Sequence, residues 1–262
     1  MTFSEAQFQA AVDKINNGMT DLSAKMGEIL PAAQAGLNHW YIPDFVKDAV
    51  MALAREALDL AKWLWDKFVE LLKGVGAPVM FFKYAYDWSD VRGIATGVAG
   101  VLKPEALTVD EHWKGTAADR YNAAIKPQSE AADKIGTISE KLTIALGILA
   151  AAGLTFYVAL GVIIVQFIVA MVGVVAALGS VAFSWAGVAL AVGEAGFSSA
   201  AIATAVGALV AILGVQAQQM STLNGEAKDA GKFPGGHWPD PTTGNYSDAT
   251  VTDGDADWAF ES

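Results

Sequence analysis

The chain has 262 residues, of which 53% are apolar and only 17% are charged, and it carries a net charge of -11 with no cysteine. The negative charge argues against a nucleic-acid partner, because phosphate binding needs clustered Lys and Arg. The absence of cysteine excludes disulfides, thiolate nucleophiles and cysteine metal sites. Because soluble domains carry about 25% charged residues, part of this chain is predicted to lie in an apolar environment.

The first predicted helix begins at Ser4, which together with Gln7 forms a capping pair. Apolar residues then recur at alternating spacings of 4 and 3, the seam of a helix that packs lengthwise against a partner. The seam residues are Phe8, Val12, Ile15, Met19, Leu22, Met26 and Ile29. This pattern predicts a hairpin or coiled-coil helix that ends near Pro31 and meets a partner helix, either within the chain or in a second chain.

A second helix is predicted from Pro43, which is tolerated in a first turn, to Gly74. It is amphipathic, and its apolar stripe consists of Val46, Val50, Leu53, Ala57, Leu60, Leu64, Phe68 and Leu71. The aromatic segment 81–88 is expected to lead to Ser89, a candidate N-cap for a short helix that ends near Leu102.

After a turn at 112–115, Thr116 and Asp119 resemble a second capping pair that opens a helix running to Leu142. Pro127 is expected to kink or interrupt this helix, because proline removes a hydrogen bond and clashes with the preceding turn.

From Leu142 to Gly193 the chain has 52 consecutive residues without charge, and residues 197–215 are again uncharged. A bilayer-spanning helix needs only about 20 apolar residues. The pattern therefore predicts a transmembrane helical hairpin, with breaks at Gly179-Ser180 and at Gly193, and with small residues that suit close packing in lipid. The alternative is a soluble hairpin fully covered by the amphipathic helices and by a second subunit.

These observations predict an all-α protein in three parts: a helical bundle over 1–141, an apolar membrane-type segment over 142–215, and an acidic, disordered tail over 216–262. No catalytic, metal or cofactor site is predicted. The histidines, His39, His112 and His237, lie far apart and lack ligand spacing. The alternating Asp253, Asp255 and Asp257 lack the glutamate that would complete a calcium loop, so a solvated tail is the better interpretation.

The turn reads Trp113-Lys114-Gly115 and continues as TAADRY, with a helix start directly after it. Residues 113–121, together with the N-terminal seam helix, resemble the Trp-X-Gly family of helical-hairpin substrates of type VII (ESX) secretion. The resemblance covers residues 4–30 and about 105–145. It departs from the family because some 75 residues separate the first helix from the turn. Larger Esp-type and PE/PPE-like relatives carry extra helices or long apolar segments.

The resemblance implies a leaderless secretion route, recognition by the type VII machinery and a helical partner. Those systems also use a Tyr-X-X-X-Asp/Glu signal, which Tyr86 and Asp90 match. The predicted secretion-signal residues are therefore Trp113, Gly115, Tyr86 and Asp90. The alternative for Tyr86 and Asp90 is an ordinary loop, and the alternative for Trp113 and Gly115 is a joint between helices that serves only packing.

The N-terminal residues lack the basic and apolar regions of a Sec or Tat signal. Together with the apolar segment 142–215, the resemblance predicts a secreted or membrane-associated protein that contacts lipid and permeabilises membranes. The alternative is a resident integral-membrane or envelope protein with no secretion step.

Overall fold

The computed structural model describes residues 3–40, 42–106, 116–180 and 185–239. Within these ranges the chain is all-helical and contains no strand, which confirms the predicted fold class. The five α-helices are α1 (Glu5–Leu37), α2 (Asp44–Leu72), α3 (Ala77–Val101), α4 (Thr116–Gly179) and α5 (Trp185–Lys228). Short 3-10 turns follow α3 and α5, at Pro104–Ala106, Ala230–Lys232 and Pro234–Gly236.

The packing divides the chain into two compact units. The first comprises residues 1–81 and 148–214, and the second comprises residues 82–147 and 215–262. Both α4 and α5 contribute residues to each unit. The boundaries predicted at 141/142 and 215/216 follow the distribution of charge along the chain, whereas the units follow the contacts between helices.

In the first unit, α1 and α2 form an antiparallel hairpin. Ser4 caps α1 as predicted, because its Oγ accepts a hydrogen bond from the Gln7 N–H at 3.4 Å. The start of α1 and the end of α2 meet at Tyr157 of α4. The Phe8 and Tyr157 ring centroids lie 5.4 Å apart, and the Tyr157 hydroxyl donates to the Leu71 carbonyl at 3.0 Å.

Helix α1 also lies parallel to the apolar part of α4. From Phe8 beside Tyr157, the contacts advance together along both helices to Gly18 beside Ile164 and Gly36 beside Leu178. A Cβ built on Gly36 would meet the Leu178 carbonyl oxygen. The seam of α1 is therefore buried within the chain, and its fully buried members are Ile15, Leu22 and Ile29.

The second unit is closed by contacts between α3 and α4. The Ser129 hydroxyl, which is buried, donates to the Ala99 carbonyl at 2.9 Å. About two turns after Ser129 on α4, a Cβ on Gly136 would lie 3.0 Å from Thr96 Cγ2 of α3. The two helices therefore approach closely there. At the surface, Arg92 and Glu140 are 3.4 Å apart.

The two prolines expected to stop helices do not do so. Helix α1 continues through Pro31 to Leu37, and α4 is not interrupted at Pro127. An interior proline costs about 3 kcal/mol, and burial on both sides of each proline offsets this cost. Ile29 and Ala33 are buried around Pro31, and Ala131 is buried beyond Pro127. Tertiary packing thus overrides the local preference for a break.

Three further predictions about helix boundaries are corrected. The aromatic segment 81–88 and Ser89 both lie inside α3, which begins at Ala77 with Pro78 in its first turn. Gly193 lies inside α5, whereas the predicted break at Gly179-Ser180 is where α4 ends. Residues 216–228, expected in the disordered tail, form the end of α5, and Leu223 is buried there. Residues 240–262 of the predicted tail lie outside the described residues.

Candidate membrane-facing surface and recognition residues

A stripe of exposed valines follows one face of α4 in the first unit. Val158, Val162, Val165, Val169 and Val172 are between 37% and 67% exposed, and we call them the valine stripe. Their alternating spacings of 4 and 3 place them along a single helix face. The sequence signal for the stripe is this alternating spacing of valines inside the uncharged run.

The opposite face of α4 is buried against the helices of the first unit. Five of its residues are each displaced by two positions from a member of the valine stripe, about 200° around the helix. They are Leu160, Ile164, Phe167, Met171 and Val174, and Leu178 continues this face, all six being less than a tenth exposed. Within this single chain, one face of α4 is therefore covered by other helices and the opposite face is not.

The uncharged part of α4 is longer than a bilayer is thick. The 38 residues from Leu142 to Gly179 carry no charge, which at 1.5 Å per residue gives about 57 Å of helix, against a hydrocarbon core of about 30 Å. Among the described residues two segments, Asp119–Gly179 and Ala200–Lys228, are long and apolar enough to cross a membrane. Of the most apolar 18 residues in the second segment only 11% are buried, so the apolar surface of this part of α5 is also largely uncovered.

The predicted signal residues Tyr86 and Asp90 lie on α3 in the second unit, one helical turn apart. Tyr86 is 61% exposed, and its ring packs edge-on against that of Phe82 with centroids 4.9 Å apart. Asp90 is exposed on the same face of the helix, because residues four apart are neighbours on a helix surface. Tyr86 was expected before a helix start at Ser89 and Asp90 just after it, whereas both residues lie inside α3.

The other predicted signal residues, Trp113 and Gly115, lie outside the described residues. Helix α4 begins at Thr116, directly after this turn, as the capping pattern predicted. The structure thus describes the helix that follows the Trp-X-Gly turn and one of the two predicted signal elements.

Ion pairs in the second unit join α4 to the end of α5, and no sequence pattern pointed to them. Lys134 lies 2.9 Å from Asp229, Lys141 lies 2.7 Å from Glu226, and Lys232 pairs with Glu130. With Asp133 and Thr137 these residues line an open groove of about 490 Å³. We call the three pairs the ionic cluster. Its partners lie 85 to 102 residues apart in sequence, so local spacing could not predict it.

The lysines of the ionic cluster lower the pKa of two of its carboxyls. A hydrogen bond from Lys232 holds the pKa of Glu130 below its ordinary value of 4.5. A hydrogen bond from Lys134, aided by the Gly231 backbone N–H, lowers the pKa of Asp229 below 3.8. Asp229 is exposed and Glu130 is partly exposed, so the cluster joins α4 to the segment at the end of α5 near the surface and is screened by salt.

Among the described residues no group of three or more His, Asp or Glu side chains could hold a metal ion. The structure describes His39 and His237 in separate units, and His112 lies outside the described residues. The buried polar atoms without a hydrogen-bond partner include Ser139 Oγ and Gln216 Oε1, which are uncharged groups on two helices rather than a catalytic constellation.

The chain matches no protein-family model, no curated protein and no solved structure. The resemblance to the Trp-X-Gly family therefore rests on residues 113–121 and on the seam of α1.

Proposed function

We propose that this chain is a non-enzymatic, membrane-inserting protein, and that it is a type VII secretion substrate or secretion-associated protein. The observation that carries the proposal is the valine stripe, an uncovered apolar face on a helix with 38 consecutive uncharged residues. A contiguous exposed apolar face marks a surface that contacts lipid or another apolar partner. Pore formation or permeabilisation of the membrane would follow from insertion of the apolar helices.

The packing of α1 supports delivery in a water-compatible form. Its seam covers one face of α4, and its outer face carries charged residues such as Asp13, Asp21 and Glu28, all exposed. A charged helix face is expensive in hydrocarbon. Insertion of α4 therefore requires α1 to leave the apolar helix or to shield its charges by oligomerising. The helical partner expected for the α1 seam is α4 before insertion, and a second protein or a second copy afterwards.

The secretion part of the proposal is supported by the motif at 113–121 and by the presentation of Tyr86 and Asp90 on an exposed helix face. Secretion machinery that reads a Tyr-X-X-X-Asp element needs both side chains accessible from one direction. Helix α3 provides this arrangement.

The membrane step is tested by flotation with phosphatidylcholine vesicles, with dye release measured in parallel. The informative variant is Val169→Lys, which places a charge at the most exposed position of the valine stripe. A lysine near the centre of a membrane-spanning helix costs about 2.5 kcal/mol or more. We therefore expect the vesicle partition coefficient measured by flotation to fall by at least about fiftyfold.

The matched control is Val69→Lys, at an exposed valine on the amphipathic α2. Its flotation should equal that of the unmodified chain. If Val169→Lys floats and releases dye as well as Val69→Lys does, then the stripe does not enter lipid and the proposal of membrane insertion fails.

A resident integral-membrane or structural envelope protein is the second candidate, and the low burial of the apolar residues of α5 favours it. The two candidates differ in route. Full-length chain in the culture filtrate, lost on deletion of the type VII ATPase and also in a Tyr86→Ala/Asp90→Ala variant, would support secretion. Chain that is found only in the membrane fraction of the producing cell, with or without the ATPase, would support residence.

A further inference from the structure

Two aromatic side chains at one end of the first unit are almost fully exposed to solvent. Trp40, in the connection between α1 and α2, is 95% exposed, and Phe45, in the first turn of α2, is 75% exposed. They are the most exposed large apolar side chains in the part of the chain that the structure describes. Together the two side chains present a large apolar area to water, and burying that area in an apolar environment would be favourable.

This end of the unit is also where the apolar helix α4 ends. A Cβ on Gly36 would meet the Leu178 carbonyl oxygen, and one on Gly179 would lie 3.9 Å from Ala32 Cβ. Because α1 and α4 are parallel, the last turns of both helices lie side by side. The connection that carries Trp40 leaves α1 directly beyond them. We call Trp40, Phe45 and these last turns the aromatic end.

Charge is absent from both helices as they approach the aromatic end. No Asp, Glu, Lys or Arg occurs from Ile29 to Pro43, or in α4 beyond Lys141. The nearest charges on α1 are Lys25 and Glu28, which pair with each other at 2.6 Å. At the opposite end of the unit, Glu5 and Lys73 are exposed beside the helix termini. The ends of α1 and α4 at the aromatic end are thus uncharged, whereas the opposite end of the unit carries charges at the helix termini.

The charges nearest to Trp40 belong to the start of α2. Asp44 pairs with Lys47 at 3.4 Å, and Asp48 lies one turn further along. Such paired, solvent-reaching groups are compatible with the headgroup layer of a bilayer, though not with its hydrocarbon core. Tryptophan favours that same layer, because the ring is apolar while its N–H remains near water. The mixture of exposed aromatics and paired charges therefore fits a lipid interface.

We propose that the aromatic end is the part of the protein that contacts a lipid bilayer first, with Trp40 and Phe45 entering its interfacial layer and the uncharged ends of α1 and α4 following. This inference rests on the proposed membrane-inserting function and adds to it the direction of entry. The partner is the interfacial layer of a neutral bilayer, because the chain carries a net charge of -11 and gains nothing from anionic lipid.

The experiment uses the absence of cysteine from the native chain. A single cysteine is introduced by Trp40→Cys or by Gly27→Cys in the full-length protein, and each is labelled with the polarity-sensitive fluorophore nitrobenzoxadiazole. Gly27 is an exposed position on α1 with no atom within 4 Å of a built Cβ, so it is the matched control. Vesicles are phosphatidylcholine, with and without a lipid-attached quencher. We expect a blue shift and lipid quenching at position 40, and an unchanged aqueous signal at position 27 on first contact.

The second arm measures the flotation of the unlabelled double variant Trp40→Ala/Phe45→Ala. Its matched control is Trp63→Ala/Val69→Ala, a variant that lacks two exposed side chains of α2 away from the aromatic end. The first variant should bind vesicles at least about tenfold more weakly than native chain, and the second should bind as native chain does. Circular dichroism checks that both variants fold. If the first does not fold, the fluorophore at position 40 decides.

The outcomes separate this inference from the function on which it rests. If native chain floats while the fluorophore at position 40 stays aqueous and the Trp40→Ala/Phe45→Ala variant floats equally well, the direction of entry is wrong and membrane insertion stands. If native chain does not float at all, both are overturned.

Discussion

At the scale of single residues, glycines set how closely the helices of the first unit pack. A Cβ on Gly18 would lie 2.9 Å from Ile164 Cγ2, a Cβ on Gly153 would overlap the Pro78 ring, and one on Gly36 would meet the Leu178 carbonyl oxygen. The first two contacts involve side-chain atoms, whereas the contact at Gly36 involves backbone. A side chain can move away and a helix backbone can do so only by shifting the helix, so Gly36 is the least replaceable of the three.

Replacing Gly36 by alanine is expected to destabilise the folded chain by about 1–3 kcal/mol, the usual cost of overpacking. The matched change Gly27→Ala, on the same helix with nothing within 4 Å of the new Cβ, should stabilise it by about 0.5–1 kcal/mol, because alanine has the better helix propensity. The free energies of unfolding in guanidinium chloride would measure both effects. Equal stabilities for the two variants would show that α1 and α4 are not in contact at Gly36.

At the scale of elements, the sequence predicted the helices whose signals are local. The Ser4 cap, the α1 seam, the amphipathic α2 and the break at Gly179-Ser180 all depend on residues within a few turns of one another, and all are present. The predicted end at Pro31, the predicted interruption at Pro127 and the predicted break at Gly193 are absent, because α1, α4 and α5 continue through these residues. Near the two prolines, buried neighbours such as Ile29 and Ala131 pack against other segments and hold the helix together.

The same distinction applies to the candidate sites. Tyr86 and Asp90 were found because their spacing is local, but the helix that presents them was missed, since an aromatic run and a serine resembled a helix start. The parallel contact of α1 with α4 joins residues that lie about 145 positions apart. No pattern of spacing in a single sequence indicates such a contact, because the α1 seam fits any apolar helix of similar length.

That contact can be locked to test whether α1 must leave α4 before insertion. A Gly18→Cys/Ile164→Cys pair places two thiols where the built Cβ at 18 and the γ carbon at 164 are 2.9 Å apart, a spacing that suits a disulfide. Since the outer face of α1 is charged and unsuited to hydrocarbon, we expect the oxidised protein to fold but to lose dye release from vesicles. Reductant should restore the release.

The Gly18→Cys variant alone, treated identically, controls for the loss of glycine at this contact. Oxidised and reduced double variants that release dye at the same rate would show that α1 and α4 enter the membrane together, and that the charges of α1 are shielded by neighbouring copies.

At the scale of the whole molecule, charge is excluded from the apolar segments and concentrated elsewhere, with a net value of -11. For the membrane contact proposed above, the net negative charge favours neutral over anionic lipid. It also makes carboxylates the main titratable groups. Acidification therefore acts on the protein chiefly by neutralising Asp and Glu, including those of the ionic cluster.

The stability of the folded chain should consequently fall below about pH 4.5. Lysine hydrogen bonds hold the pKa values of Glu130 and Asp229 below their ordinary values of 4.5 and 3.8. In the unfolded chain the pKa values return to ordinary, so in this window the unfolded state binds more protons than the folded one. Stability from the cluster is thus fully present above pH 4.5 and is lost as pH falls through the depressed folded-state values. A Lys134→Gln/Lys232→Gln variant removes the largest cause of each shift. Its unfolding free energy should therefore fall less steeply between pH 5 and pH 3, as measured by denaturant titration at each pH. Identical slopes for the variant and the native chain would mean that the ionic cluster does not hold the end of α5 against α4 in solution.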